Sequence, residues 1–369
     1  NMYRRTSSDS LTRLWIEPKK NGVSGAELFD SLCFVQLETT PESMFDYVRC
    51  LKLLNGKFYL LDRMGTKLLC FDRDGKFLKK FEARGNGPEY FMLCFLAADP
   101  VSKKILVADD VVRKIFIFDE FLNLEHVVKV DFTPKQVIAF RDDMILRYEN
   151  DNKEQYQDSL LRDYDLHWID LKGDVVQGMI RNRTPKYGLS FLSASGYLDN
   201  GDILYYPTLG DTVYRVAVSE RTVSPAYIIE SGDEDVKLLN DEQRREMDPN
   251  AELPEYEKRN YFFPVEFFNV GSHILLRSGM DDMYLYSKNS GNAIRYDKTL
   301  ENMSGDRTFD YLTSIIYACD GDWCYGPHHA ITLQYMAKDY GFSGKYKAMI
   351  DSMETDANLF LACFKVKDF

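Results

Sequence analysis

The sequence predicts an all-β fold, a six-bladed β-propeller of four-stranded antiparallel blades with short helical insertions. The main observation is an internal repeat: Phe58–Asp62 and Lys67–Asp72 recur 47 residues later as Ile105–Asp109 and Lys114–Asp119. A period of about 40 to 50 residues made of several short strands is typical of propeller blades. Six strand-and-turn units also account for most of the chain. An up-and-down sandwich is the alternative all-β fold, but it does not explain the repeat.

An N-terminal arm is expected over residues 1–32 and the propeller over residues 33–369. The arm is polar, and Pro18, Gly22 and Gly25 interrupt any strand period. In the first blade, Asn55-Gly56 and Asp74-Gly75 supply tight turns, because these dipeptides tolerate positive φ. The six predicted blades cover about 47–81, 91–131, 136–181, 190–230, 262–299 and 312–366.

Two segments are predicted to be helical insertions. Residues 233–260 are charged and contain Pro249 and Pro254, and a short helix is expected there over 238–247. A second helix is expected over 331–338, inside the last blade. The first strand of that blade is predicted over Leu312–Tyr317.

Closing the propeller requires its first and last blades to meet, since open sheet edges invite aggregation. Residues Cys33–Glu38 form a short alternating run that precedes the first blade. We expect this strand to pair with strands from the C-terminus and to complete the last blade.

The composition disfavours one class of partner. The net charge of −12 and the isoelectric point near 5.1 argue against a nucleic-acid-binding surface, because such proteins need a positive footprint. Local basic patches stay open as an alternative, but no basic run is long enough to predict one. No apolar run approaches the roughly 18 residues of a membrane-spanning helix. The sequence begins Asn1-Met2-Tyr3 without a leader, so the protein is either cytosolic or starts after a removed signal. Cys319 and Cys324 flank a turn and could form a disulfide in an oxidising compartment.

Several motifs resemble those of exported six-bladed β-propeller proteins of Gram-negative gut bacteria, relatives of the NHL-repeat propellers. They are Phe71-Asp72-Arg73-Asp74-Gly75, the element Gly85-Asn86-Gly87-Pro88-Glu89-Tyr90, and the closing run Asn358–Lys365. The resemblance implies a secreted or lipid-anchored protein of the periplasm or outer membrane, without an established activity. The lipid-attachment cysteine is absent from the sequence, so a lipid anchor would lie upstream.

Asp62 and Asp109 occupy equivalent positions in successive blades. Because a catalytic residue is needed once, repetition favours a structural role in which the carboxylate accepts backbone N–H groups at a turn. The alternative is an acidic collar for a cation at the mouth of the central channel.

Four residues form the best metal candidate, because carboxylates and imidazoles suit zinc or another divalent transition metal. Adjacent histidines in an extended strand point to opposite faces, so only one of them would join a given site. A solvated loop is the alternative. The four residues are Asp320, Asp322, His328 and His329.

A ligand pocket is predicted beside the channel, where loops of several blades converge. Arg84 and Arg113 would hold an anionic or hydroxyl-rich group, and Trp323 would offer a stacking face. The alternative is that these residues scatter over both rims as solvated turn residues. The predicted set is Arg84, Asn86, Glu89, Asp109, Asp110, Arg113, Trp323 and His328.

The predicted function is a non-catalytic binding or scaffold protein of the cell envelope, which engages a glycan, a peptide or a partner protein through loops at one face. The sequence contains no nucleophile elbow and no His-Glu-x-x-His motif, and no cofactor is expected. The alternative is a metal-assisted lyase or hydrolase with its site at the central channel.

Overall fold

The computed structural model confirms the predicted six-bladed β-propeller. Six sheets of four antiparallel strands form the blades, and one further strand joins the fourth blade. The chain divides into two compact units, Asn1–Asn21 with Val128–Arg295 and Gly22–Val127 with Tyr296–Phe369. The structure describes residues 11–17, 22–62, 64–82, 93–134, 136–148, 155–181, 194–207, 210–233, 238–246, 264–278, 283–296 and 306–369.

Blades one, two and six lie essentially in the unit that holds the C-terminus. In hydrogen-bonded order, blade one contains β3 (Val48–Leu54), β4 (Lys57–Asp62), β5 (Lys67–Asp72) and β6 (Phe77–Glu82). Blade two contains β7 (Leu93–Asp99), β8 (Lys104–Asp109), β9 (Lys114–Phe118) and β10 (Leu124–Lys129). Blade six contains β23 (Ala318–Asp320), β24 (Trp323–His328), β25 (Phe360–Val366) and β2 (Phe29–Gln36).

Blades three, four and five lie essentially in the other unit. Blade three contains β11 (Val137–Arg141), β12 (Met144–Tyr148), β13 (Tyr164–Asp170) and β14 (Val175–Arg181). Blade four contains β15 (Ala194–Tyr197), β16 (Ile203–Tyr206), β17 (Thr212–Ala217), β18 (Thr222–Ser231) and, beside β18, β1 (Thr12–Ile16). Blade five contains β19 (Pro264–Val270), β20 (His273–Ser278), β21 (Met283–Ser287) and β22 (Ala293–Tyr296).

Short helices lie in the connections between strands. Within the described residues they are α1 (Gly25–Leu28), α2 (Ser159–Asp163), α3 (Asp241–Glu246), α4 (Arg307–Thr313), α5 (Ala330–Tyr340) and α6 (Gly344–Asp351). The helices predicted over 238–247 and 331–338 are confirmed as α3 and α5.

The prediction that the last blade starts with a strand over Leu312–Tyr317 is wrong. Leu312 lies in α4, which follows Asp306. The Asp306 carboxylate accepts hydrogen bonds from the backbone N–H groups of Thr308 (3.0 Å) and Phe309 (3.2 Å). This side-chain cap stabilises a helix, and the strand begins only at Ala318.

The expected arm contributes a strand of its own. β1 runs parallel to β18, with Thr12 opposite Tyr227 and Ile16 opposite Ser231. The Ile16 side chain is buried, and the Arg13 guanidinium forms an ion pair of 2.8 Å with Glu230. Part of the arm is therefore integrated into blade four.

The aspartates of the repeat have the structural role that the sequence indicates. The Oδ1 atom of Asp62 accepts hydrogen bonds from the backbone N–H groups of Thr66 (2.7 Å) and Lys67 (2.8 Å). The Oδ1 atom of Asp109 also accepts two backbone N–H groups of the turn that follows it, from Val111 (2.9 Å) and Val112 (3.0 Å). A second set, Asp72, Asp119 and Asp170, accepts backbone N–H groups two and four residues ahead.

Buried side chains fill the space between neighbouring sheets within each unit. In blade one, Leu61 and Leu68 pack with residues of blade two, whereas Leu60 and Leu69 pack with residues of blade six. Alternate residues of a strand point to opposite faces, so strands of this sheet are buried on both sides. Corresponding clusters join blade three to blade four and blade four to blade five.

Strand β2 completes the last blade, as the sequence predicts. It pairs with β25 in antiparallel register, Gln36 opposite Phe360 and Cys33 opposite Cys363. The pairing continues one step further, because the Leu37 N–H donates a hydrogen bond of 3.3 Å to the carbonyl of Leu359.

The turn between β5 and β6 lies against the chain that leaves β2. Gly75 has φ +86°, and a Cβ atom there would stand 2.2 Å from the carbonyl oxygen of Gln36. The Glu38 N–H donates a hydrogen bond of 2.8 Å to the Gly75 carbonyl. Gly173 repeats this arrangement, with the Lys129 carbonyl oxygen 2.0 Å from its hypothetical Cβ.

We expect Gly75→Ala to destabilise the fold far more than Gly56→Ala. Both residues have positive φ, but a Cβ at Gly56 meets no atom within 4 Å. Backbone strain alone costs about 1 kcal/mol at Gly56, whereas displacing the Gln36 carbonyl raises the cost at Gly75 to about 3 kcal/mol or more. Urea unfolding of the two variants measures the difference. Equal losses of unfolding free energy would contradict the close approach.

Candidate functional site

A cavity of about 450 Å³ lies between the loop that enters blade one and the helical segment of blade six. We call it the closure pocket. Its walls are Met44–Tyr47, the start of β5 at Lys67, the start of α5, and the segment before β25. The lining residues are Met44, Phe45, Asp46, Tyr47, Lys67, His329, Ile331, Thr332, Thr355, Asp356, Ala357 and Asn358.

One wall of the pocket comes from an insertion into the repeat. In blades one and two the second and third strands are joined by only four residues, 63–66 and 110–113. In blade six the equivalent connection runs from residue 329 to residue 359 and contains α5 and α6. The pocket therefore forms where the regular blade pattern is interrupted.

Asn358 fixes the loop that forms the opposite wall. Its Nδ2 donates hydrogen bonds to the carbonyls of Glu38 (2.8 Å) and Ser43 (3.1 Å), and its Oδ1 accepts one from the Phe45 N–H (3.3 Å). The side chain is buried, and the backbone N–H of Asn358 donates a hydrogen bond of 2.8 Å to the Thr39 hydroxyl. A single amide thus sets the position of the loop over 38–45.

His329 and Tyr47 form the aromatic part of the pocket. Their rings meet edge to face, with centroids 4.8 Å apart. Burial lowers the pKa of the His329 imidazole. The negative charge of Asp46 and its backbone act in the opposite direction and raise the pKa, but by less. The imidazole is therefore neutral at pH 7, and its Nε2 atom is buried without a hydrogen-bond partner among the described residues.

The mouth of the pocket is both apolar and acidic. Met44, Tyr47 and Ile331 are large apolar or aromatic side chains that are 50%, 44% and 53% exposed. The Asp46 and Asp356 side chains are exposed at the same place. The Lys67 ammonium donates a hydrogen bond of 2.9 Å to the carbonyl of Met44.

The neighbouring residue His328 points away from the pocket. Its ring is buried and stacks on Phe360 at a centroid distance of 5.7 Å. The Nε2 atom of the ring is 3.2 Å from the carbonyl oxygen of Leu312. Since a carbonyl only accepts, Nε2 carries the proton. Burial lowers the pKa of His328 to about 4. The two adjacent rings diverge, as expected for an extended backbone.

Two members of the predicted ligand set lie at opposite ends of one strand. His328 lies at the end of β24, and Trp323 lies at its beginning. The Lys365 ammonium group makes a cation–π contact with the Trp323 indole. A strand of six residues spans about 17 Å. Asp109 ends β8, and Asp110 and Arg113 lie in the β8–β9 turn, which by the repeat corresponds to the β4–β5 turn beside Lys67. They therefore lie at the edge that carries His328 and not at the edge that carries Trp323.

The remaining members, Arg84, Asn86 and Glu89, lie outside the described residues. The position of these three residues relative to the other five members of the set therefore stays a prediction.

The metal candidate is not supported by the placement of its residues. Asp320 and Asp322 lie at the turn before β24, whereas His328 and His329 lie beyond its other end. The length of the strand keeps the carboxylates and imidazoles apart. In the part of the chain that the structure describes, no three His, Cys, Asp or Glu side chains are grouped so that they could hold a metal ion.

Sequence reasoning did not single out Tyr47, Lys67 or Asn358 as site residues. They stand far from His329 in the chain and share no motif with it. The available signal was the long polar and helical interruption of the last blade, together with the prediction that β2 pairs with the C-terminal strand.

Comparison with known families assigns the chain to a family. The family model described as "Domain of unknown function (DUF4934)" matches residues 17–365. The chain belongs to this family. No curated protein matches the sequence of this chain.

The fold is similar to that of two Bacteroides proteins. One, from Bacteroides fragilis NCTC 9343, is named as a proposed exported protein; it shares 16% identity at a TM-score of 0.71, over 97% of this chain and 100% of that one. The other, a DUF4221 family member from Bacteroides vulgatus ATCC 8482, shares 11% identity at a TM-score of 0.50, over 93% and 98%. The resemblance to exported six-bladed propellers that the sequence indicates is thus confirmed at the level of the fold.

A virginiamycin B lyase from Staphylococcus aureus also matches, with 9% identity and a TM-score of 0.45 over 90% of this chain and 98% of that one. At such low identity, structural similarity says nothing of activity. Among the described helices, none is long and apolar enough to cross a membrane.

We expect the buried His328 to make stability depend on pH between about 6.5 and 4. The pKa falls from 6.5 in the unfolded chain to about 4 in the folded one, so in this range only the unfolded chain binds the proton. The contribution of His328 to the unfolding free energy is therefore complete above about pH 6.5. As the pH falls toward 4, the unfolding free energy decreases by up to about 3 kcal/mol. Urea titrations at a series of pH values measure the loss.

The control variants are His328→Phe, which keeps a ring on Phe360, and His126→Gln at an exposed position on β10. The first should flatten the pH dependence, and the second should leave it unchanged. A pH profile of His328→Phe that equals that of the wild type would contradict the assignment.

We expect Asn358→Ala to lower the unfolding free energy by about 3 kcal/mol, because it leaves buried backbone groups of the loop without partners. Asn358→Asp keeps the acceptor for the Phe45 N–H but turns a carboxylate toward the carbonyls of Glu38 and Ser43. It should therefore destabilise at least as much despite its equal size. Chemical unfolding of both variants tests this, and a stable aspartate variant would show that the two donated bonds are dispensable.

Proposed function

We propose that this DUF4934 protein is an exported, non-catalytic binding protein that holds a peptide segment of an envelope partner in the closure pocket. The observation that carries the proposal is a cavity built where the repeat is interrupted, with exposed apolar side chains around it. Scattered exposed apolar residues are normal on a protein surface, but several around one cavity favour a binding site.

The chemistry of the pocket favours a peptide over a glycan. Met44 and Ile331 offer apolar surface, which suits an aliphatic or aromatic side chain, and methionine adapts to different shapes. A peptide N–H group or a basic side chain would pair with the exposed carboxylates of Asp46 and Asp356. Glycan binding instead relies on exposed aromatic ring faces, and Tyr47 is the one exposed tyrosine among the lining residues, beside the aliphatic Met44 and Ile331.

The cellular location and the wider contact surface also belong to the proposal. The name of the similar Bacteroides fragilis protein supports export, to the periplasm or to the outer membrane through an upstream lipid anchor. The predicted ligand residues Arg84, Asn86 and Glu89 also belong to the proposed contact surface. Asp110 and Arg113 in the β8–β9 turn would contribute charged groups.

The metal-assisted alternative has a direct test. Elemental analysis of the purified protein would reveal a stoichiometric transition metal if the protein were such an enzyme. Peptide-binding activity that survives exhaustive chelation would support the binding protein.

We expect Tyr47→Ala to weaken peptide binding at least tenfold, because it removes the aromatic wall beside His329. The measurement is binding of the labelled protein to arrays of peptides and of glycans, followed by titration of the strongest peptide. Tyr335→Ala is the matched control, since Tyr335 lies on α5, is 86% exposed and does not line the pocket. Binding to glycans alone, or equal binding by both variants, would refute the proposed ligand and site.

A further inference from the structure

Two cysteines face each other across the strands that complete blade six. Cys33 on β2 is directly opposite Cys363 on β25, and the two thiols are close enough for each to affect the pKa of the other. Opposed residues of an antiparallel pair have Cα atoms about 4.5 to 5.5 Å apart. A disulfide needs Cα atoms about 4.4 to 6.8 Å apart, so the backbone already has the required spacing.

We infer that Cys33 and Cys363 form a disulfide that joins the N-terminal strand of blade six to its C-terminal strand. The two residues are 330 positions apart in the chain. Cross-linking distant residues removes many conformations of the unfolded chain and stabilises most when the closed loop is long. The bond would therefore hold β2 in place where pairing is otherwise maintained only by hydrogen bonds and packing.

The oxidant is a disulfide-bearing molecule, either a dithiol oxidase or oxidised glutathione. The thiolate of Cys33 attacks the oxidant and releases one thiolate, and Cys363 then attacks the mixed disulfide and releases the second. Two thiols lose two protons and two electrons, and the oxidant's disulfide becomes two thiols. Cys33 is the exposed partner and Cys363 the buried one, so Cys33 is the sulfur that an oxidant reaches first.

Burial raises the pKa of both thiols, which lowers the thiolate fraction in the folded state. Exchange is therefore faster while β2 is still undocked, and the bond forms during folding. The oxidising compartment that export would provide supplies the necessary conditions. Binding at the closure pocket does not enter the inference, so either can fail alone.

The test is to refold the full chain in a buffer of reduced and oxidised glutathione, block remaining thiols with iodoacetamide, and digest without reduction. Mass spectrometry should find the peptide with Cys33 linked to the peptide with Cys363. The melting temperature should exceed that of the reduced protein by about 5 to 10 °C. Cys33→Ser should abolish this difference, whereas Cys70→Ser, at a buried cysteine of β5, should preserve it.

Alkylated Cys33 after oxidative refolding would overturn the inference. A link only between Cys319 and Cys324 would also overturn it. Those two residues face each other across β23 and β24 with Sγ atoms 3.6 Å apart, and their bond would close only a short hairpin. If Cys33→Ser does not fold, the linked peptide and the melting temperatures of the oxidised and reduced wild type still decide the question.

Discussion

The pairing of β2 with β25 is the constraint on which the last blade and the candidate site depend. It builds one sheet from strands of both ends of the chain, in the register that sets Gln36 opposite Phe360. The loop that follows β2 and the segment that precedes β25 therefore leave the sheet side by side. Asn358 then bonds to that loop, and the closure pocket forms between the two segments. A slip of one residue would turn every side chain of β2 to the other face and remove this alignment.

The parts of the fold that sequence reasoning predicted are those that local, repeated chemistry specifies. Asp62 and Asp109 each bind the backbone of the following turn with their own carboxylate, so an aspartate recurs at the end of the second strand in both blades. The features that were not predicted lack such a local signal. β1 pairs in parallel with a strand more than 200 residues away, and α4 depends on the Asp306 cap, which outweighs the apolar run that follows it.

The candidate site could be anticipated in kind but not in position. The sequence predicted a site at the connection between blades one and two, with loops of neighbouring strands. The closure pocket is also built from a connection between blades and a strand loop, but the connection is the loop that enters blade one. Tyr47 and His329 meet only because the ends of the chain share a sheet. His329 was noticed for its imidazole, but only the structure shows that Asp320 and Asp322 are a strand length away and that Tyr47 is its neighbour.

The interruption of the repeat explains why a binding site would form at the connection between β24 and β25. Four-residue connections in blades one and two leave their turns occupied by aspartates that accept backbone N–H groups, so these turns have little freedom to acquire a ligand. The connection over 329–359 carries two helices and is not restricted in this way. Because the neighbouring blade one is held by buried clusters on both faces, the helices can vary in sequence without disturbing its sheet. A rigid scaffold with one enlarged connection is the arrangement in which binding specificity can change while the fold is retained.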